Sequence, residues 1–183
     1  RSTSCGFPDG EFFTNKKHGV FGETDWTFNT AEYRFLLTSV RETLTKLKDG
    51  PVDFIYSVFP KDELRSKEKV QSLQTRMIMS SSLTETIVTR MYYGNFIDWY
   101  MDPSNRLKNF GAIGIDMSNQ SDLTDFIQMH GGGTYEFRVL AGDYKGFDKT
   151  LSPWLMEIVR FVNLEFMYDY LTFEHQSVSD NIF

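Results

Sequence analysis

Two groups of side chains in this sequence have types and spacings suited to chemistry. Asp143 and Asp148 stand five residues apart in the stretch from Ala141 to Pro153, which reads Ala-Gly-Asp-Tyr-Lys-Gly-Phe-Asp-Lys-Thr-Leu-Ser-Pro. Aspartates offer the hard oxygen ligands that divalent cations such as magnesium require. The second group is basic. Lys61, Arg65, Lys67, Lys69 and Arg76 are set against Asp62, Glu63 and Glu68, so this segment is locally positive in a chain of net charge −6. Each group has a plain alternative. The acids also suit a solvated strand–loop–helix corner, and a charge run is most often a solvated face.

The elements around these groups can be read from periodicity and caps. Tyr135, Phe137, Val139 and Ala141 alternate as one face of a strand that ends at Asp143. Gly146 loosens the turn that carries the two acids, Ser152 is placed to cap a helix, and Pro153 takes its first position. Leu155, Ile158, Val159, Val162 and Phe166 then fall on one face of that helix. A strand, a turn and a capped helix hold a carboxylate rigidly at a mouth.

The basic segment follows a predicted strand over Val52–Phe59, in which Phe54, Tyr56 and Val58 alternate. It precedes a helix opened by Ser82-x-x-Glu85, with Leu83, Ile87, Val88, Met91, Tyr92 and Trp99 as its buried side and an end before Pro103. Upstream, Asn29 and Glu32 form a capping pair for a helix with Tyr33, Leu36, Leu37, Val40, Leu44 and Leu47 at helical spacing. Gly50-Pro51 stops it. That stripe is core packing, with no function expected on it. Residues 1–28 read as an ordered loop in which Phe7, Phe12, Phe13, Phe21 and Trp26 need burial. A loop or short strand covers Gly111–Asp116, and a short helix around Leu123, Phe126 and Ile127 stops at Gly131-Gly-Gly133. No Gly-Lys-Ser/Thr follows the three glycines, so they read as a turn and not as a phosphate loop.

Composition narrows the function classes. The 183 residues are 40% hydrophobic and 16% aromatic, enough for one globular unit or two small ones. The acidic balance argues that any contact with nucleic acid is a local patch. Cys5 is the single cysteine, which excludes an internal disulfide and a zinc–thiolate cluster and points to a reducing compartment. No apolar run reaches the ~18 residues of a membrane span. His18, His130 and His175 are scattered without ligand spacing. Ser66-x-x-Lys69 and Ser179-Asp-Asn181 echo β-lactamase-like motifs, but no Lys-Thr-Gly accompanies them. The start at Arg1 and the stop at Phe183 suggest a segment excised from a longer polypeptide.

The acidic stretch resembles motif A of the RNA-dependent RNA polymerases of picorna-like positive-strand RNA viruses: Asp-x-x-x-x-Asp, then Leu-Ser-Pro and an apolar helix. Lys61-Asp-Glu-Leu-Arg-Ser-Lys-x-Lys69, Arg76-Met-Ile and Ser81-Ser82-Leu83 are similar to motif F of the same family, and Arg90-Met91 with Tyr93-Gly94-Asn95 continue the match. Ser2-Thr-Ser-Cys-Gly-Phe-Pro8 resembles the family's upstream Thr-Ser-x-Gly-Tyr-Pro segment. The three blocks occur in family order across the chain. Ala141-Gly142 precede the aspartate where the family often carries a bulky residue.

The resemblance implies an α+β chain with a partial right-hand polymerase fold. Residues 1–92 would be part of the fingers, with motif F over about 61–76, and 93–183 the first part of the palm, with motif A over about 141–153. It implies RNA-directed nucleotidyl transfer by a two-metal mechanism, with Mg2+ or Mn2+ as cofactor. Asp143 would be the catalytic metal ligand, with the Tyr144 carbonyl beside it. Asp148 would sense the ribose 2′-hydroxyl of the incoming nucleotide. Lys61, Arg65, Lys69 and Arg76 would line the path of the triphosphate, and Glu63 would orient them by ion pairing. RNA template and primer, nucleoside triphosphates and the rest of the palm and thumb would be the partners. The setting would be the host cytoplasm at viral replication complexes. Motif B and the Gly-Asp-Asp of motif C do not occur in this sequence, so the chain alone is expected to be inactive. An alternative reading is a non-catalytic RNA- or protein-binding module on a fingers-like scaffold. A third is a small soluble α+β domain without a nucleic-acid role.

Overall fold

The computed structural model describes residues 5–13, 20–21, 28, 30–105, 108, 115–116, 118–129, 142, 146–168 and 173–182, with the backbone alone at Asp148, Lys149, Phe173 and Glu174. The elements are α1 (Asp9–Phe12), α2 (Ala31–Asp49), β1 (Ser57–Pro60), α3 (Lys67–Gln71), β2 (Met77–Ser80), α4 (Leu83–Met101), a 3-10 turn (Pro103–Asn105), α5 (Gln120–Met129), α6 (Phe147–Thr150), α7 (Pro153–Met167) and α8 (Phe173–Asp180). Helices dominate, and one two-stranded sheet makes the described residues α+β. Two compact units divide the chain: residues 1–92 with 172–183, and residues 93–171.

The first unit holds a core of Cys5, Phe13, Val20, Leu36, Val40, Leu47, Leu83, Val88 and Val178. Helix α2 enters it along the expected stripe and stops where Gly50 and Pro51 stand. Its cap is Thr30, whose hydroxyl accepts from the Tyr33 amide at 3.0 Å. The predicted pair of Asn29 and Glu32 is therefore displaced by one residue, because a threonine hydroxyl in extended backbone already satisfies the free amide. Asn181 ties the C-terminal residues to this helix by donating to the Leu47 carbonyl at 2.8 Å.

The N-terminus of α4 is built from three parts of the chain. Ser82 Oγ accepts from the Glu85 amide at 3.0 Å, as its capping position requires. Asp9 Oδ2 accepts from the Thr84 amide at 2.7 Å, so a buried carboxylate sits on the positive end of the helix. The Glu85 carboxylate does not turn back to close the capping box; it accepts from the Tyr56 hydroxyl instead. Gly6 lies against this junction with φ 71°, and a Cβ there would stand 1.9 Å from the Ser81 carbonyl oxygen. Only glycine serves at such a position.

Several sequence expectations give way. The Val52–Phe59 strand shrinks to Ser57–Pro60, because only these residues find a partner, in the antiparallel register Ser57↔Ser80 to Pro60↔Met77. On α4, Leu83 and Val88 are buried and Ile87 and Tyr92 pack against the core as predicted, but Met91 is exposed and Tyr93 is buried. Phe13 is buried but Phe12 is exposed. The Ser152 cap and Pro153 hold, with Ser152 Oγ accepting from the Leu155 amide at 3.3 Å. Even so, Leu155, Ile158, Val159 and Val162 remain exposed, while Asn163 and Met167 are the buried residues of α7. In the second unit, Phe166 of α7 meets Phe96 and Trp99 of α4 at centroid distances of 5.0 and 5.4 Å. The strand predicted over Tyr135–Ala141, the glycines Gly131–Gly133, Trp26, and all but the end of the Gly111–Asp116 stretch lie outside the described residues.

Candidate functional site

The basic segment is an excursion from the β1–β2 hairpin. The Lys61 amide donates to the Arg76 carbonyl at 2.8 Å, so the two ends of the segment are held side by side. Between them the chain turns through α3, and Leu73, at φ 54°, reverses it toward β2. This closure brings together side chains fifteen positions apart in sequence.

Glu63 stands at the centre. Its Oε2 lies 3.2 Å from Lys61 Nζ and 3.5 Å from Arg76 Nη1, and its Oε1 lies 2.8 Å from Arg65 Nε. The Arg65 approach is a charge contact without hydrogen-bond alignment, since both of those atoms lack an aligned partner. Burial raises the Glu63 carboxyl, but the Lys61 hydrogen bond and the charges of Lys61, Arg65 and Arg76 outweigh it and hold the group below its ordinary value. Three cations around one carboxylate leave an excess of positive charge. The Glu63 side chain is 20% exposed and that of Arg76 is 64% exposed. The anchor is thus sheltered while an outer guanidinium faces solvent, an arrangement able to receive phosphate oxygens. Lys69 does not join the cluster: it lies exposed on α3, with no ion pair among the described residues.

Residues 1–177 match the family described as viral RNA-dependent RNA polymerase. The chain belongs to that family. Its curated relatives include the replicase polyprotein of acute bee paralysis virus (strain Rothamsted), 31% identical over 86% of this chain and 8% of that polyprotein. The genome polyprotein of human enterovirus 70 (strain J670/71) is 32% identical over 60% of this chain and 5% of its own length. That of human hepatitis A virus genotype IIIB (isolate HAJ85-1) is 35% identical over 57% and 4%. The chain therefore spans less than a tenth of the polyproteins that it matches. No solved structure matches it.

Within this polymerase-family chain, Asp143 and Tyr144 lie outside the described residues. Gly146, at φ 66°, leads into α6, so the turn expected around Asp148 becomes a single helical turn that carries it. The local cause is the left-handed glycine, which aims the chain into helical backbone until Leu151 returns to an extended conformation. Among the described residues, no group of three or more His, Cys, Asp or Glu side chains is placed to hold a metal ion. No helix among the described residues is long and apolar enough to cross a membrane.

Proposed function

We propose that the chain contributes part of the fingers (1–92) and the first part of the palm (93–183) to a right-handed viral polymerase that carries out RNA-directed nucleotidyl transfer. The observation that carries the reading is the family match over 1–177, joined to a cation cluster ordered on Glu63 in the segment similar to motif F. Template, primer RNA and nucleoside triphosphates are the substrates, and replication complexes in the host cytoplasm are the setting.

On this reading Lys61, Arg65 and Arg76 receive the triphosphate of the incoming nucleotide. Their positive excess offsets charge that builds on the phosphates as the bond to the leaving pyrophosphate breaks. Glu63 keeps the cations in place before substrate arrives, so little reorganisation accompanies binding. Asp143 and the Tyr144 carbonyl hold divalent metal. Divalent metal held there would supply a lowered pKa for the 3′-hydroxyl and neutralising charge for the triphosphate. Asp148 accepts a hydrogen bond from the ribose 2′-hydroxyl, which deoxyribonucleotides lack. The 183-residue chain alone does not extend RNA, because the Gly-Asp-Asp carboxylates are not in its sequence.

The test uses the polymerase that contains this chain and separates its two aspartates. Asp143→Asn is expected to abolish addition of every nucleotide. Asp148→Asn is expected to lower ribonucleotide incorporation more than deoxyribonucleotide incorporation. Asn keeps an acceptor but loses the negative charge that organises the ribose pocket, and at ~1–3 kcal/mol for a disturbed buried polar contact their ratio narrows by roughly one to two powers of ten. Single-turnover incorporation of matched substrates measures both. Near-normal rates for Asp143→Asn, or equal slowing of both sugars by Asp148→Asn, would sink the respective assignment.

A further inference from the structure

We propose that a cavity in the first unit, between the Phe7–Phe12 segment and α2, binds a small organic cation of the guanidinium or ammonium type. Its volume is about 310 Å³, at the small end of the range for ligand pockets. Phe7, Phe12, Phe35 and Phe54 line it. Phe12 and Phe35 lie with ring centroids 4.8 Å apart and planes inclined by 34°, yet remain 56% and 41% exposed, so ring surface is left accessible. Aromatic rings attract cations through the negative face of the π-system.

The charge of the lining has the complementary sign. Asp9, Glu42 and Asp53 contribute three carboxylates and Lys46 one ammonium. Ser82 and Thr84, at the N-terminus of α4, complete the lining. Helix α2 supplies Phe35, Ser39, Glu42 and Lys46, spaced as a second face beside its core stripe. These four residues lie outside the stripe of Tyr33, Leu36, Leu37, Val40, Leu44 and Leu47 that the sequence assigns to core packing.

The experiment titrates the 183-residue chain with Nα-acetyl-arginine amide and with its neutral isostere Nα-acetyl-citrulline amide, followed by calorimetry and by chemical shifts of the phenylalanine rings. The arginine compound is expected to bind saturably and about tenfold or more tightly than the citrulline compound, because only it carries the cation. Glu42→Gln with Asp53→Asn, both exposed positions away from the core, is expected to remove most of that preference. Phe35→Leu keeps apolar volume without a ring and is expected to weaken the arginine compound selectively. Unfolding midpoints of the variants are measured alongside. No saturable binding, equal affinity for the two compounds, or an undiminished preference in both folded variants would overturn the proposal. Should the carboxylate pair fail to fold, the Phe35→Leu comparison decides.

Discussion

Glu63 is the residue on which the basic segment depends. Its carboxyl is held below the ordinary 4.5 because burial, which raises it, is outweighed by three cations. A depressed carboxyl contributes stability that is complete above its unfolded value and is lost as pH falls through its folded one. The cluster is therefore expected to persist at pH 4.5 and to come apart only below it. An NMR titration of the Glu63 carboxyl reads this directly, and a midpoint at or above 4.5 would contradict it. The cations divide in a similarly testable way. Arg76 joins Glu63 while Lys69 sits apart on α3. In the polymerase, Arg76→Ala is expected to weaken triphosphate binding and flatten its salt dependence more than Lys69→Ala does. Equal effects would show that the cluster is not the phosphate site. The sequence makes the nearness of Glu63 to Lys61 and Arg65 readable, because they are two residues away on either side. The separation of Lys69 is not readable, since it follows from the turn of α3 and the left-handed Leu73.

At the scale of elements, what could be read was local and what could not was pairing. Ser82, Ser152, Pro153 and the Gly50-Pro51 stop each act within one turn of backbone, so their types suffice to place helix ends. Alternation over Val52–Phe59 carries no information about where a partner strand ends, and β2 reaches only Ser57. The Asp9 carboxylate on the α4 N-terminus is likewise invisible to sequence, because it arrives from 75 residues away. The Tyr56–Glu85 contact belongs to the same class. Burial, then the hydrogen bond to Glu85 and its negative charge, push the Tyr56 phenol from 10.0 up to about 12. A raised phenol contributes stability that is complete below its unfolded value and is lost as pH rises through the folded one, here between about 10 and 12. Tyr56→Phe removes the donor from a buried carboxylate whose other oxygen already lacks a partner. It is expected to cost ~1–3 kcal/mol at neutral pH and to blunt the alkaline loss of stability. Urea unfolding of both proteins at neutral pH and near pH 11 checks this. The same midpoint for both proteins at neutral pH would dismiss the contact as a stabilising one.

At the scale of the molecule, the least expected feature is the exposure of α7. Its apolar residues suggested a buried face, yet Trp154, Ile158, Phe161 and Val162 are all exposed and the buried positions lie elsewhere on the helix. Amphipathic spacing says which residues share a face, but not whether anything covers it. A helix apolar on most sides is ordinarily enclosed, and a large exposed apolar patch drives association. The 183-residue chain is therefore expected to self-associate through α7 when studied alone. Sedimentation velocity over about a hundredfold range of concentration should show a rising weight-average mass, as mass action requires. Ile158→Lys combined with Val162→Lys places two charges one helical turn apart on the exposed side, without touching Asn163 or Met167 in the buried contact. That variant should remain monomeric while keeping the helix content and unfolding midpoint of the parent. A parent that stays monomeric throughout, or a variant that associates as strongly, would show that α7 does not drive assembly.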